Sequence, residues 1–122
     1  MIRLTLPFPP SMNSLWRSVN GRNVSSKKYR DWQALAVVEL VGQTGIGRGS
    51  PHVKGPYNMT ATFDRPDRRR RDLGNLEKAG TDLLVTRGII ADDCNAEQIT
   101  LRWSGKEPVA NPKVHIEIEA VT

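Results

Sequence analysis

The stretch DRRRRDLGNLEKAGTDLLVTRG, residues 67–88, decides how this chain folds. Behind its run of arginines, the leucines recur with a period close to 3.6 residues, which predicts a helix over residues 73–87. Asp72 has the side chain of a good N-cap, and Gly88 follows the last turn, where glycine ends many helices. This part of the sequence therefore joins a charged segment to the most clearly marked helix of the chain.

Outward from this helix, apolar and polar residues alternate in four segments, a pattern typical of strands with one buried face. The predicted strands are residues 2–6, 57–63, 98–103 and 113–120, and the last two are expected to form a terminal hairpin. Another helix is predicted from Ser25 or Ser26 to about residue 41. The order strand-helix-strand-helix-strand-strand indicates an α/β fold, a single-layer mixed sheet of about four strands with two helices.

The predicted first helix has an apolar face that should belong to the core, formed by Tyr29, Trp32, Leu35, Ala36 and Leu40. Two further segments are predicted to be loops. Residues 11–23 are mostly polar and form a candidate binding loop, in which Trp16 is the largest side chain. Residues 42–56 contain five glycines and two prolines, which predict a long surface loop.

The composition limits the chain to one globular domain, residues 1–122. Eighteen Lys and Arg against 13 Asp and Glu give a net charge of +5, which favours a polyanionic partner. The single cysteine, Cys94, excludes an internal disulfide, and no stretch has the roughly 18 apolar residues of a membrane span. We therefore expect a soluble, cytoplasmic protein that does not bind membranes.

Positive charge is concentrated in four consecutive arginines, Arg68, Arg69, Arg70 and Arg71, directly before the predicted helix. Backbone N–H groups and the helix dipole favour anions at a helix N-terminus, so phosphate is the natural ligand. A run of basic residues is also often only a solvated face or a localisation tag. Its position between a predicted strand and a helix argues against a tag.

Carboxylates surround the same run, although they would repel a phosphate unless a cation lay between them. They are Asp64, Asp67, Asp72, Glu77, Asp92 and Asp93. Mg²⁺ takes hard oxygen ligands, often one or two protein carboxylates, with water and substrate phosphate completing its shell. One hypothesis is metal-assisted hydrolysis of a phosphodiester. The alternative is that Asp72 only caps the helix and that Asp92 and Asp93 form a turn.

The segments PDRRRRDLGNLEKAGTDLL, GIIADD and LPFPPSMNSLWR together resemble the RusA family of Holliday-junction resolvases, and the resemblance covers nearly the whole chain. It implies a RusA-like fold and a small homodimeric endonuclease that makes paired nicks in four-way DNA junctions during recombination and repair. It also implies dependence on Mg²⁺, with Mn²⁺ as a substitute, in a cytoplasmic protein of bacterial or phage origin.

The resemblance carries functional residues over by position. Asp72 and Asp93 match catalytic, metal-binding aspartates of the family, and Lys78 matches its essential lysine. Met12 stands where the family usually has an asparagine, so the match of the N-terminal DNA-contacting segment is incomplete. The positions that match DNA contacts are Ser11, Asn13, Ser14, Asn75 and the four arginines, residues 68–71.

Gly74 departs from the family pattern, because it occupies the position of the second catalytic aspartate. A glycine in the first turn of the predicted helix would also cost about 1 kcal/mol of helix propensity. Three accounts remain open: an inactivating substitution, weak activity through Asp72 and Asp93, or replacement of the missing ligand by Asp92 or Glu77. We expect a chain that still binds junction DNA but cleaves it poorly.

Two further expectations concern partners and alternatives. A four-way junction has near two-fold symmetry, so two symmetric cuts call for a C2 dimer with one acidic site in each protomer. A non-catalytic protein that binds branched DNA through the same arginines is the alternative function. An RNA-binding domain is disfavoured, because aromatic residues make up 6% of the chain and the aromatic signature of an RNA-binding sheet is absent.

Overall fold

The computed structural model describes residues 1–44 and 52–121. Its elements are β1 (Ile2–Pro7), β2 (Trp16–Val19), β3 (Arg22–Ser25), α1 (Lys27–Thr44), β4 (Tyr57–Arg65), α2 (Glu77–Thr86), β5 (Ala96–Pro108) and β6 (Lys113–Ala120). Three short 3-10 turns stand between them at Met12–Ser14, Leu73–Asn75 and Asp93–Asn95. None of the helices in these ranges is both long enough and apolar enough to cross a membrane.

Four strands form one mixed sheet in the order β1-β6-β4-β5. β4 pairs parallel with β5 and antiparallel with β6, which also pairs antiparallel with β1. The predicted mixed sheet with two helices is confirmed, but the predicted terminal hairpin is wrong, because β4 lies between β5 and β6. β4 is an interior strand of the sheet. Every second residue from Tyr57 to Phe63 is at most 3% exposed, so one face of this strand is buried in the core. α2 makes the crossover that the parallel pair requires.

One hydrophobic core joins the inward side chains of the sheet to the buried sides of α1 and α2. In α1 the predicted core face is confirmed for Tyr29, Trp32, Ala36 and Leu40. Leu35 is 53% exposed, which corrects its assignment to that face. It precedes Ala36 by one residue and therefore points about 100° away around the helix.

Much of the predicted binding loop at residues 11–23 is regular structure, because β2 and β3 pair as an antiparallel hairpin. Asn20 and Gly21 form its turn with φ values of 52° and 78°. Positive φ at both central residues is the mark of a type I′ turn, for which Asn-Gly is a preferred pair. The sequence thus carried a hairpin signal at residues 20–21 that the loop interpretation missed.

The boundaries of α1 and β5 also differ from the predicted ones. α1 continues to Thr44, so the predicted loop at residues 42–56 is wrong for its first three residues. Residues 45–51 of that loop lie outside the described residues. β5 covers Ala96–Pro108 and is longer than predicted at both ends.

α2 begins at Glu77, four residues after the predicted start. Asp72 is not its N-cap, because the Asp72 carboxylate caps a separate 3-10 turn and accepts the backbone N–H of Gly74 at 3.0 Å. The backbone N–H of Leu76 closes this turn on the carbonyl of Leu73. The predicted C-terminus is confirmed within one residue, and Gly88 follows it with φ 75°.

Candidate functional site

The charges of three predicted acidic residues act on one buried group at the start of β4, the Tyr57 hydroxyl. Burial raises the pKa of the Tyr57 hydroxyl, and the charges of Asp93, Glu77 and Asp92 raise it further. The hydroxyl oxygen has no hydrogen-bond partner among the residues that the structure describes. The fold therefore brings the first turn of α2 and the Asp92-Asp93 turn to the same side of the sheet.

Asp72 and Asp93 line different cavities. Asp72 lies beside Arg70 and Arg71, whereas Asp93 lies at the rim of a cavity formed with α1 and α2. Within residues 1–44 and 52–121, no three His, Cys, Asp or Glu side chains are arranged to hold a metal ion. Mg²⁺ needs only one or two protein carboxylates when water and substrate phosphate supply the rest. The carboxylate oxygens of Asp72 and of Asp93 are each donors of the kind that Mg²⁺ accepts.

The two candidate replacements for a missing metal ligand both accept local hydrogen bonds. The Asp92 carboxylate accepts the backbone N–H of Cys94 at 2.9 Å, and this bond lowers the pKa of Asp92. The Glu77 carboxylate accepts the Thr81 hydroxyl at 2.8 Å. Each acid thus stabilises its own turn, as the alternative interpretation of Asp92 expected.

Gly74 has no conformational reason to be a glycine. Its φ is not positive, since Gly21 and Gly88 are the glycines with positive φ in the described ranges. A Cβ atom at position 74 would lie 3.4 Å from Oδ1 of Asp72, an ordinary contact distance. The predicted cost in helix propensity is wrong, because Gly74 lies in the 3-10 turn before α2 and not in the helix. A carboxylate at position 74 would stand directly beside that of Asp72.

Lys78 lies one residue into α2 and is held by an acid of the next turn. Its Nζ is 3.1 Å from Oδ1 of Asp82. The hydrogen bond and charge of Asp82 raise the pKa of Lys78, and the charges of Asp93 and Glu77 add to this. The acids around Lys78 therefore favour its charged form.

The four arginines are not equally available. Arg68 pairs with Glu107 at 2.6 Å, while Arg69 and Arg71 both pair with Asp67, at 3.1 and 2.7 Å. The hydrogen bonds from Arg71 and Arg69 lower the pKa of Asp67 to about 2.

Arg70 has no ion pair within the part of the chain that the structure describes. It is exposed and shares a cavity with Arg71 and Asp72. Arg70 is therefore the member of the run most open to an external phosphate.

Arg71 connects the arginine run to the N-terminal segment. Its guanidinium lies 5.7 Å from the centre of the Phe8 ring, and its buried Nε has no partner among the described residues. Arg71, Ser11 and Lys28 line one cavity of about 230 Å³ together with Phe8. Ser11 thus lines a cavity that also contains two basic side chains.

The other predicted DNA-contacting residues lie in two of the three 3-10 turns, Met12–Ser14 and Leu73–Asn75. Asn13 is exposed, and Ser11 caps its turn by accepting the Asn13 N–H at 3.3 Å. Ser14 is anchored through its carbonyl, which accepts the Ser26 hydroxyl at 2.6 Å. Asn75 is the last residue of its turn and donates its backbone N–H to the carbonyl of Asp72 at 3.0 Å.

A further cavity opens beside Asp93 and has a volume of about 300 Å³. Its walls come from the hairpin, α1, α2 and the turn at Asp93–Asn95; they are formed by Trp16, Tyr29, Gln33, Asp82, Val85, Thr86 and Asp93. Trp16 is 50% exposed and meets the Tyr29 ring edge-on, at 5.7 Å between ring centres. This cavity is absent from the sequence-based site, which singled out Trp16 alone among its aromatic walls.

Asp64 does not belong with the other acids, although it lies near the arginines in the sequence. It is 9% exposed and accepts the Ser104 hydroxyl at 2.8 Å and the Lys113 N–H at 3.1 Å. Its second partner on β6 is Nε2 of His115, at 3.2 Å. Asp64 therefore ties β4 to β5 and β6.

The sequence profile of the family described as Endodeoxyribonuclease RusA matches residues 7–119. Proteins named Crossover junction endodeoxyribonuclease RusA from Escherichia coli strain K12 and from Enterobacteria phage 82 are each 36% identical over 93 residues. That alignment covers 74% of this chain and 72% of each relative. A protein of the same name from Shigella sonnei is 34% identical over the same length.

Proposed function

The chain belongs to the RusA family of endodeoxyribonucleases, and from this premise we propose that it binds four-way DNA junctions and nicks them slowly with Mg²⁺. The observation that carries the proposal is the turn at residues 72–75. There the Asp72 carboxylate lies 3.4 Å from the place of a Cβ atom that Gly74 lacks. Half of a carboxylate pair is present, and the residues that bind phosphate are intact around it.

Asp72 and Asp93 would hold the metal, and their oxygen donors suit it. When bound, Mg²⁺ activates water and stabilises the leaving oxygen of a phosphodiester. Arg70 and Arg71 bind and orient the phosphate beside Asp72, since all three share one cavity. Lys78, whose pKa is raised, keeps its proton and neutralises charge near Asp93.

Gly74→Asp is the test of the proposal. In this variant we expect nicking of a four-way junction in Mg²⁺ to rise by about 10-fold or more, because a second carboxylate joins Asp72. Gly74→Asn is the matched control, since it has the same size without the charge, and it should nick no faster than the starting chain. Mn²⁺, which accepts the same ligands, should show the same order of activities.

Three results separate the alternatives. Equal nicking by the starting chain and Gly74→Asp would contradict the idea that Gly74 weakens the site. If neither protein cuts any branched DNA but both bind junctions without metal, the chain is a binding protein, the alternative that Gly74 favours. Absence of junction binding by both would overturn the proposal as a whole.

The active form in this proposal is a homodimer. Two symmetric cuts in a junction require two acidic sites related by a two-fold axis, and each chain supplies one Asp72 and one Asp93. Sedimentation equilibrium at micromolar concentration should give about twice the mass of one 13.6 kDa chain. A monomer that still makes paired nicks would contradict it.

A further inference from the structure

We propose that the cavity between the β2–β3 hairpin, α1 and α2 binds one unpaired nucleobase that carries an exocyclic amino group. The inference rests on the proposed function, because the base would belong to the DNA whose phosphate lies near Asp93. It adds a base-binding site to the phosphate site at the arginines. Four observations support it: an open aromatic face, a rigid support, the polar groups of the wall and the position of the cavity.

The aromatic face is that of Trp16. Trp32 belongs to the core and Trp103 packs against it, whereas Trp16 is 50% exposed. Tyr29 touches Trp16 edge-on, with an interplanar angle of 76°. An aromatic ring that lines a cavity and is half exposed offers a platform on which any base can stack.

The platform is held rigidly. Leu15, the residue before Trp16, is fully buried, and its carbonyl accepts the backbone N–H of Ser26 at 2.9 Å. Tyr29 stacks on Trp32 with an interplanar angle of 23°, and the Trp32 indole N–H donates to the carbonyl of Pro7 at 3.0 Å. The side chains behind Trp16 are therefore fixed before any ligand binds, which lowers the entropic cost of binding.

The wall of the cavity offers polar groups that suit a base. Asp82 and Asp93 contribute carboxylates, and no arginine of the described residues lines it. The Asp82 carboxylate, which lies outside the proposed metal site, can accept hydrogen bonds from the amino group of a base. Asp82 is already oriented by Lys78, at 3.1 Å, and Gln33 adds an amide on the same wall. Cytosine, adenine and guanine carry an amino group, whereas thymine does not.

The position of the cavity links it to the proposed chemistry. Asp93 forms part of its rim, so a base in the cavity belongs to a nucleotide next to the acidic site. Arg70 and Arg71 line other cavities, where they meet phosphates. Binding of bases and binding of the backbone are therefore assigned to different side chains, and variants can separate them.

The experiment measures binding of fluorescent single strands of equal length by anisotropy: oligo-dC, oligo-dT and an abasic strand. We expect oligo-dC to bind about 10-fold or more tightly than the abasic strand, the gain of stacking on an aromatic side chain. Trp16→Ala should remove this gain and leave the abasic strand unaffected, and Trp16→Phe should keep most of it. Asp82→Ala should bring the dC and dT affinities to about the same value.

Two controls identify the source of any loss. Val19→Ala changes an exposed residue of the same hairpin outside the cavity and should change none of the affinities. Arg70→Ala should weaken all three strands by about the same factor, because it removes a phosphate contact. Circular dichroism of Trp16→Ala checks that the hairpin variant is folded.

The outcomes distinguish this inference from the proposed function. If the chain binds the strands and four-way junctions but Trp16→Ala weakens dC and abasic strands equally, the base site is refuted and the junction function stands. Tighter binding of oligo-dT than of oligo-dC overturns the role of Asp82. If no DNA of any form binds, both proposals fail together.

Discussion

Asp64 precedes the arginine run by four residues, and Asp72 follows it directly. Asp64 is nearly buried and accepts hydrogen bonds from β5 and β6. Asp72 is exposed. Within the described residues, its carboxylate accepts a hydrogen bond only from the backbone N–H of Gly74 in its own turn. A carboxylate whose lone pairs are used between strands stabilises the fold, whereas one that closes a local turn keeps oxygens free for a ligand.

Asp72→Asn tests the functional half of this contrast and has the largest expected effect. The amide oxygen still caps the turn, but the charge that a cation needs is lost. In the Gly74→Asp background, we expect junction nicking in Mg²⁺ to fall by about 100-fold or more. The urea midpoint should stay unchanged, and a clear loss of stability would show that Asp72 is structural as well.

Asp64→Ala tests the structural half. It leaves the Lys113 N–H, the Ser104 hydroxyl and the His115 ring without their partner, so the free energy of unfolding should fall by about 2 kcal/mol or more. Urea denaturation with a constant m-value measures this change. The matched control is Asp72→Ala, which removes a turn cap and should cost about 1 kcal/mol or less. Equal costs would erase the distinction between the two acids.

The contribution of Asp64 should also depend on pH. Burial alone would raise the pKa of Asp64, but the hydrogen bonds from Ser104, Lys113 and His115 outweigh it and lower the pKa in the folded protein. The charged form is thus favoured by folding, and its stabilisation is present above the unfolded pKa and lost as pH falls through the folded one. The difference in unfolding free energy between the starting chain and Asp64→Asn should therefore shrink in acid.

The arginines repeat the contrast with a smaller effect. Arg68 is paired with Glu107, whereas Arg70 has no acidic partner in the described ranges. Arg70→Ala should weaken junction binding by about 10-fold and reduce the slope of log K against log salt by about one. Arg68→Ala should change both less, because its charge is already compensated. Anisotropy titrations at four salt concentrations decide this, and equal losses would refute the ranking.

Tyr57→Phe has the smallest expected effect. Tyr57 is even more buried than Asp64, and its hydroxyl has no partner in the described residues. Removing a buried hydroxyl that makes no hydrogen bond also removes its desolvation cost, so the free energy of unfolding should not fall and should rise by about 0.5 to 1 kcal/mol. A loss above about 1 kcal/mol in urea denaturation would show that this hydroxyl has a hydrogen-bond partner and stabilises the fold, as the Asp64 carboxylate does.

Much of the fold could be predicted because the signals were local. Alternation located the four sheet strands, and the leucine period with Gly88 located the end of α2. The errors arose where a local signal had two uses. Asp72 is a good cap for a helix and equally good for a 3-10 turn, so the start of α2 was placed four residues too early.

The candidate site was predicted less completely, because its residues come from distant segments. The sequence placed Asp72, Lys78 and the arginines around one helix, which their spacing makes plain. It did not indicate that Arg71 would line one cavity with Ser11 and Lys28, or that Trp16 would line another with Gln33 and Asp82. Such contacts depend on how α1 and the hairpin pack, and no local pattern records that.

By itself, the sequence determined the four sheet strands, the two helices and the basic run with its acids. These follow from residue type and from spacing over one or two turns, whereas only the resemblance to the RusA family marks Gly74 as a departure. Only the tertiary structure decided that β4 separates β5 from β6, that Asp64 is a structural acid and that Arg70 is the arginine of the run without an ion pair in the described part of the chain. The reason is that burial and pairing are properties of residues distant in the chain, which only packing brings together.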